Sequence, residues 1–154
     1  MDNIRRAEKR DSARLAEIEI FNYRLNFYPI FKCDEYYFGE LSVPSLMEIY
    51  LKKEELLKKS YVYDDGVVKG FVRIDGREVV KLFVEPALQG NAIGEKLLEY
   101  AVKEHNAEFL WALEKNARAI RFYERRGFYL TDEKKFEDDT EEYIVKLKRH
   151  INSV

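Results

Sequence analysis

The chain has 154 residues, 46% of them hydrophobic and 36% charged, with a formal net charge of −2. That length suits one domain, residues 1–154, with a real core, and the charge balance excludes a global pull toward nucleic acid or a membrane surface. No apolar run approaches the ~20 residues that span a bilayer, residues 1–6 lack the apolar core of a signal peptide, and the lone Cys33 excludes an internal disulfide, so a cytoplasmic protein is expected.

Residues 4–7 read as a short first strand. Asp11 or Ser12 then offers a helix N-cap. Leu15, Ile18, Phe21 or Asn22, and Leu25 follow at helical spacing until Pro29, which is expected to stop the helix. Residues 21–38 hold eight aromatics: Phe21, Tyr23, Phe27, Tyr28, Phe31, Tyr36, Tyr37 and Phe38. That density exceeds what a core usually needs. Beside plain packing, it is expected to line an acceptor pocket or a subunit interface, which leaves a homodimer open.

Pro44 suits the first turn of a second helix, although Val43 before it would be a poor N-cap. Leu46, Ile49, Tyr50, Leu56 and Leu57 mark its apolar face. From Tyr61 the period drops to two. Residues 61–63 and 67–74 read as strands joined at Asp65-Gly66, and a second turn at Asp75-Gly76 leads to residues 78–84. Residues 93–105 form an amphipathic helix with Ile93, Leu97, Leu98, Ala101 and Val102 on one face. Residues 109–113 are a short strand, and 116–126 a helix that Gly127 closes. Residues 128–130 and 143–147 are the last strands, with the charged 131–142 as an exposed turn between them.

Between the strand at 78–84 and the helix at 93–105 lies Gln89-Gly90-Asn91-Ala92-Ile93-Gly94. Its glycines admit a ligand close to the backbone. The helix behind it begins with N–H groups that lack intrahelical partners, at the positive end of the macrodipole. Together these form an anion site, typically for phosphate. It is not a Walker A loop, because Glu95-Lys96 follows Gly94, and it lacks the third glycine of a dinucleotide fingerprint. Two glycines after a strand also suit an ordinary turn.

Two segments together resemble the GNAT superfamily of N-acetyltransferases. In the first, Gln89 and Gly94 fill the ends of the family's Arg/Gln-x-x-Gly-x-Gly/Ala motif, and Ala92 stands where the family prefers glycine. The second, Asn116-Ala117-Arg118-Ala119-Ile120-Arg121-Phe122-Tyr123-Glu124-Arg125-Arg126-Gly127-Phe128, meets Asn-x-x-Ala-x-x-Phe-Tyr-x-x-x-Gly-Phe throughout. The resemblance covers residues 61–147 well and 1–60 only in outline. It implies an α/β fold of the α+β type. A central mixed, mostly antiparallel sheet of six to seven strands is flanked by about four helices, and the cofactor-binding core spans about residues 61–130.

The resemblance also implies acetyl-coenzyme A as co-substrate, without a metal. Its pyrophosphate would meet Gln89, Gly90, Asn91, Ala92, Ile93, Gly94 and Glu95. Its pantetheine arm would pair with Leu82, Phe83 and Val84, in a gap where the strands of Val84 and Trp111 part. Asn116, Ala119, Phe122 and Tyr123 would flank the arm, with Asn116 equally suited to capping its helix. An amine attacks the thioester directly, a backbone N–H near Val84 polarises the carbonyl, and Tyr123 protonates the leaving thiolate. Glu78, eleven residues before Gln89, matches the glutamate base of the family's histone acetyltransferases. Lys81, an odd number of residues from Glu78, is expected on the opposite sheet face. The glutamate of the ribosomal-protein N-terminal acetyltransferases is absent, since Trp111 holds that position. The acceptor is a small-molecule amine or an amine of a peptide or protein. The alternative is a non-catalytic acetyl-CoA-binding or regulatory domain.

Overall fold

The computed structural model describes residues 3–151. The expected lack of a leader falls partly on residues 1 and 2, which lie outside the described residues. Seven strands are described: β1 (Ile4–Arg6), β2 (Ser60–Asp64), β3 (Val68–Asp75), β4 (Glu78–Val84), β5 (Phe109–Leu113), β6 (Phe128–Phe136) and β7 (Tyr143–Arg149). They form one sheet in the order β1-β2-β3-β4-β5-β7-β6. Every neighbouring pair is antiparallel except β4 and β5, which run parallel. A parallel pair needs a long crossover, here the helix α5 (Ile93–His105). The mostly antiparallel mixed sheet is the one expected.

The helices lie on both faces. On one, α5 and α6 (Ala117–Glu124) cover Val72, Val79, Leu97, Leu98, Leu110 and Leu147. On the other, α1 (Ser12–Asn22) and α3 (Val43–Lys52) cover Leu15, Ile18, Tyr50, Val62 and Phe71. Two short helices, α2 (Tyr28–Phe31) and α4 (Glu54–Lys58), complete six among the described residues. The count exceeds about four because the segment after α1 and the end of α3 are broken into short turns. Ser42, not Val43, caps α3, with Ser45 N–H donating to its Oγ at 3.3 Å.

Four local expectations are corrected. Pro29 does not end the first helical run. A π turn (Tyr23–Phe27) follows α1, and Pro29 falls in the first turn of α2, where its missing N–H costs little. Asp11 does not cap α1 with its side chain. Its carboxylate instead accepts from the Glu8 N–H at 2.8 Å and from Arg5 at 2.9 and 3.0 Å. The supposed turn 131–142 is half strand, because β6 runs to Phe136. It is a sheet edge whose side chains are mostly exposed, so charge there marks a solvated strand as readily as a loop.

The fourth correction concerns Glu78 and Lys81. Arg73 pairs with Lys81, but Ile74 pairs with Val79, so β4 carries one extra residue there. Such a bulge resets the alternation. Val79 enters the core under α5, which puts Glu78 on the other face, the same face as Lys81.

Candidate acetyltransferase site

The parallel pair is short. Glu78 registers with Phe109 and Val79 with Leu110, and no pairing continues beyond. From there β5 follows β7, with Trp111 opposite Lys146 and Leu113 opposite Ile144. Leu82, Phe83 and Val84 therefore border a gap on the β5 side. The Glu85 N–H donates to the Lys69 carbonyl of β3 at 2.8 Å. Since successive N–H groups of a strand point to opposite sides, the N–H and C=O of Val84 face the gap.

At the end of β4 the chain turns through Pro86–Leu88 into the Gln89–Gly94 loop. Gly90 has φ 94° and Ala92 has φ 62°. Glycine takes this left-handed region freely, whereas alanine pays roughly 1–2 kcal/mol for it. That is a physical reason for glycine to be preferred at Ala92. No backbone N–H from Gly90 through Glu95 donates a hydrogen bond within the described residues. Six consecutive donors, most of them exposed, therefore sit at the positive end of a 13-residue helix. Gly94 is where the parts meet. A Cβ there would stand 3.4 Å from Phe122 Cζ and 3.5 Å from Val84 Cγ2.

The second motif lies on α6. Asn116 caps it, its Oδ1 accepting from the Ala119 N–H at 3.2 Å. That commits the Ala119 N–H and leaves the Asn116 Nδ2 as a donor. Phe122 and Tyr123 both reach the cluster that includes Leu82 and Val84. Tyr123 lies edge-on between Phe122 and Phe128, at centroid distances of 5.2 and 6.0 Å. Burial among these rings pushes the Tyr123 phenol well above its ordinary value. Its hydroxyl makes no hydrogen bond among the described residues. Arg126, which motif reading missed, stacks 4.0 Å over the Phe122 ring and reaches Glu95 at 3.4 Å. Its spacing from Phe122, one helical turn, was the available signal.

Glu78 is not brought beside Tyr123. It lies at the closed end of the β4–β5 pair, on the sheet face away from α6. Burial first, and then Asp75, raise its carboxyl above the ordinary carboxylate value, against Lys135 and Lys146. The Gln89 side chain also departs from expectation. It turns away from the loop and donates to Asn22 Oδ1 at 3.3 Å, while its backbone N–H donates to the Pro86 carbonyl at 3.5 Å.

A buried polar cluster on the α1 face was not visible in the sequence. Glu19, 4% exposed, accepts from Tyr23 at 2.6 Å and from Tyr50, and pairs with Lys81 at 3.3 Å and Arg73 at 3.8 Å. Burial alone would raise its carboxyl. Lys81, the two phenols and Arg73 outweigh burial and hold it below the ordinary range. The aromatics of 21–38 divide. Tyr23 and Phe27 pack on Phe83 of β4, at 5.4 and 6.4 Å. Tyr37 is buried, its phenol pushed up to about 12 by desolvation first and then by neighbours that include Glu137. Phe21, Tyr36 and Phe38 are exposed. Ile30 and Phe31 face Phe136 and the acidic turn of residues 137–142 across a groove. Glu114 N–H donates to the Tyr143 carbonyl at 3.0 Å, which ties that turn to the end of β5 where the gap opens.

Residues 57–130 match the family model of the acetyltransferase (GNAT) domain. The peptidyl-lysine N-acetyltransferase YiaC of Escherichia coli (strain K12) is 33% identical over 92 residues, 58% of this chain and 60% of YiaC. The chain thus spans 60% or less of the length of the curated relatives it matches. The solution structure of apo-form YjaB from Escherichia coli shares the fold at TM-score 0.72 and 22% identity, over 95% of each chain. The PaiA N-acetyltransferase of Thermoplasma acidophilum, solved in complex with coenzyme A, does so at TM-score 0.67 and 21% identity, over 96% of this chain and 98% of that one. Residues 57–130 thus match the GNAT acetyltransferase domain, and the chain shares the fold of these solved acetyltransferases, with parted parallel strands and paired motifs.

Proposed function

We propose that residues 1–154 act as one acetyltransferase domain, moving an acetyl group from acetyl-CoA to a primary amine, with lysine side chains of proteins or peptides as acceptors. The observation that carries the cofactor assignment is the set of unpartnered N–H groups from Gly90 to Glu95, beside a gap into which Val84 turns both its backbone groups. The donors and the helix dipole suit a pyrophosphate, and the gap suits an extended arm with two amides. YiaC's name supports the acceptor class. So does the acidic turn at the mouth of the gap, where Glu137, Asp138, Asp139 and Glu141 make no ion pair among the described residues and would favour a cationic substrate. The exposed lone thiol of Cys33 suits a reducing compartment such as the cytoplasm.

In this mechanism the amine nitrogen attacks the thioester carbon, and the carbonyl oxygen gathers charge against the Val84 N–H. Collapse breaks the carbon–sulfur bond. The thiolate leaves with the electron pair and takes the Tyr123 hydroxyl proton, while the amide keeps the acetyl group. Desolvation raises the phenol, and the same apolar surroundings would act on the departing thiol in the same sense. The proton that the nitrogen sheds passes to Glu78 through water, since Glu78 lies four residues from Leu82, roughly 13 Å along the strand, and solvent restores the proton of Tyr123.

Acetyl-CoA at ~100 times its dissociation constant is expected to stabilise the fold by ~2.7 kcal/mol, read as a rise in Tm. Gly94→Asp should abolish that rise, because the new side chain meets Phe122 and Val84 and sets a carboxylate against the pyrophosphate. No rise at millimolar acetyl-CoA in the unsubstituted protein would exclude the cofactor. A rise without thiol release across a panel of lysine peptides and small amines would leave a binding domain instead.

Glu78 makes a pH prediction. A base works only when deprotonated, so activity is lost as pH falls through its folded pKa. Because that value is raised, the acid limb of kcat/KM should lie above the ordinary carboxylate range. Glu78→Gln should lower the plateau and remove that limb. An unchanged limb in the variant would assign the base elsewhere.

A further inference from the structure

Asn22 ends α1 and is 2% exposed. Its Nδ2 donates to two carbonyls, Ile18 at 2.8 Å and Val84 at 2.9 Å. Its Oδ1 accepts from Gln89 at 3.3 Å and from Asn26 at 3.4 Å. One buried amide therefore ties a helix to the strand that borders the gap and to the first residue of the anion loop. Packing alone would accept leucine at such a position. The amide answers a specific need. Val84's carbonyl faces the gap, where β5 has turned away, so it has lost the partner a continuing sheet would supply. Asn22 takes one lone pair of that carbonyl and leaves the other for an incoming amide.

From this geometry we infer that Asn22 is a positioning residue that couples the phosphate end of the site to its acyl end. The inference rests on the acetyl-CoA assignment. When phosphates draw the 90–95 loop into place, Gln89 at its root is held through Asn22 to the Val84 carbonyl. The same residue supplies the N–H that meets the thioester oxygen. Binding energy from the remote phosphates is thereby applied at the reacting carbonyl, where it raises kcat rather than only affinity.

The test compares two donors, acetyl-CoA and S-acetylpantetheine, which lacks the phosphates. Initial rates are measured at saturating lysine peptide, or as donor hydrolysis if no peptide is turned over. Three proteins are used: unsubstituted, Asn22→Leu and Gln89→Leu. Gln89 is only half-buried, so its variant cuts the same link from the other side even if Asn22→Leu does not fold. Both variants are expected to lower kcat with acetyl-CoA by ~10-fold or more, since small misplacement of a reacting group is costly. S-acetylpantetheine rates should fall by a factor roughly five or more times smaller, because that donor has no phosphate energy to transmit. Equal falls with both donors, or a change in acetyl-CoA affinity with kcat unchanged, would overturn the coupling and leave Asn22 a structural amide. An unsubstituted protein that turns over neither donor would instead defeat the acetyl-CoA assignment, and this inference with it.

Discussion

Tyr123→Phe is expected to lower kcat by ~10²–10⁴-fold while leaving acetyl-CoA affinity nearly intact, if chemistry limits turnover. The ring stays edge-on between Phe122 and Phe128, so packing is kept and only the proton donor is lost. The hydroxyl has no other hydrogen bond among the described residues, so its removal orphans no partner. A fall of less than about threefold would make water the acid and return Tyr123 to packing. Loss of affinity together with rate would mean that the hydroxyl holds coenzyme A. Acetyl-CoA hydrolysis reports the same thiolate departure before any acceptor is identified.

Glu19→Gln is expected to destabilise the fold by ~3–5 kcal/mol at neutral pH, read from the urea midpoint. The carboxylate is the common partner of Arg73 and Lys81. Lys81 is partly exposed and can turn to water, but the Arg73 side chain is 6% exposed and would keep an uncompensated charge. The pH dependence has a definite sign. Glu19 titrates lower folded than unfolded, so its stabilisation is complete above the unfolded carboxylate pKa and is lost as pH falls through the folded one. The unsubstituted protein should therefore lose more stability in acid than Glu19→Gln. Adding Arg73→Met should recover much of the loss, since an apolar side chain of similar size removes the stranded charge. A neutral-pH cost below about 1 kcal/mol would make the cluster a solvated surface network, not a buried one.

These two residues show unequal legibility. Tyr123 stood in a motif whose members are local: Asn116, Phe122 and Gly127 lie on one short helix and its ends. Local spacing is enough to place a residue on such a helix. The Gln89–Gly94 loop was legible for the same reason, and the bounds of β4, β5 and α5 fall where their periodicity puts them. Glu19 carried no signal, because beyond Tyr23, one helical turn on, its partners are Tyr50, Arg73 and Lys81, up to 62 residues away in the chain. Glu78 was visible as a residue but its face was not. One extra residue in β4 reversed the alternation, and a bulge leaves no mark when its residues are all β-formers.

By itself, then, the amino-acid sequence determined most of the sheet-forming segments, the Gln89–Gly94 loop, the capped helix of the second motif and the resemblance to the GNAT family, because each depends on contacts within a turn or two of chain. Only the tertiary structure decided where β4 and β5 part and which way Val84's peptide faces. It alone brought Asn22 to bridge that strand and Gln89, and gathered four charged or phenolic groups around Glu19. These depend on hydrogen bonds between segments whose meeting is set by the packing of whole elements, and no local pattern of side chains encodes them.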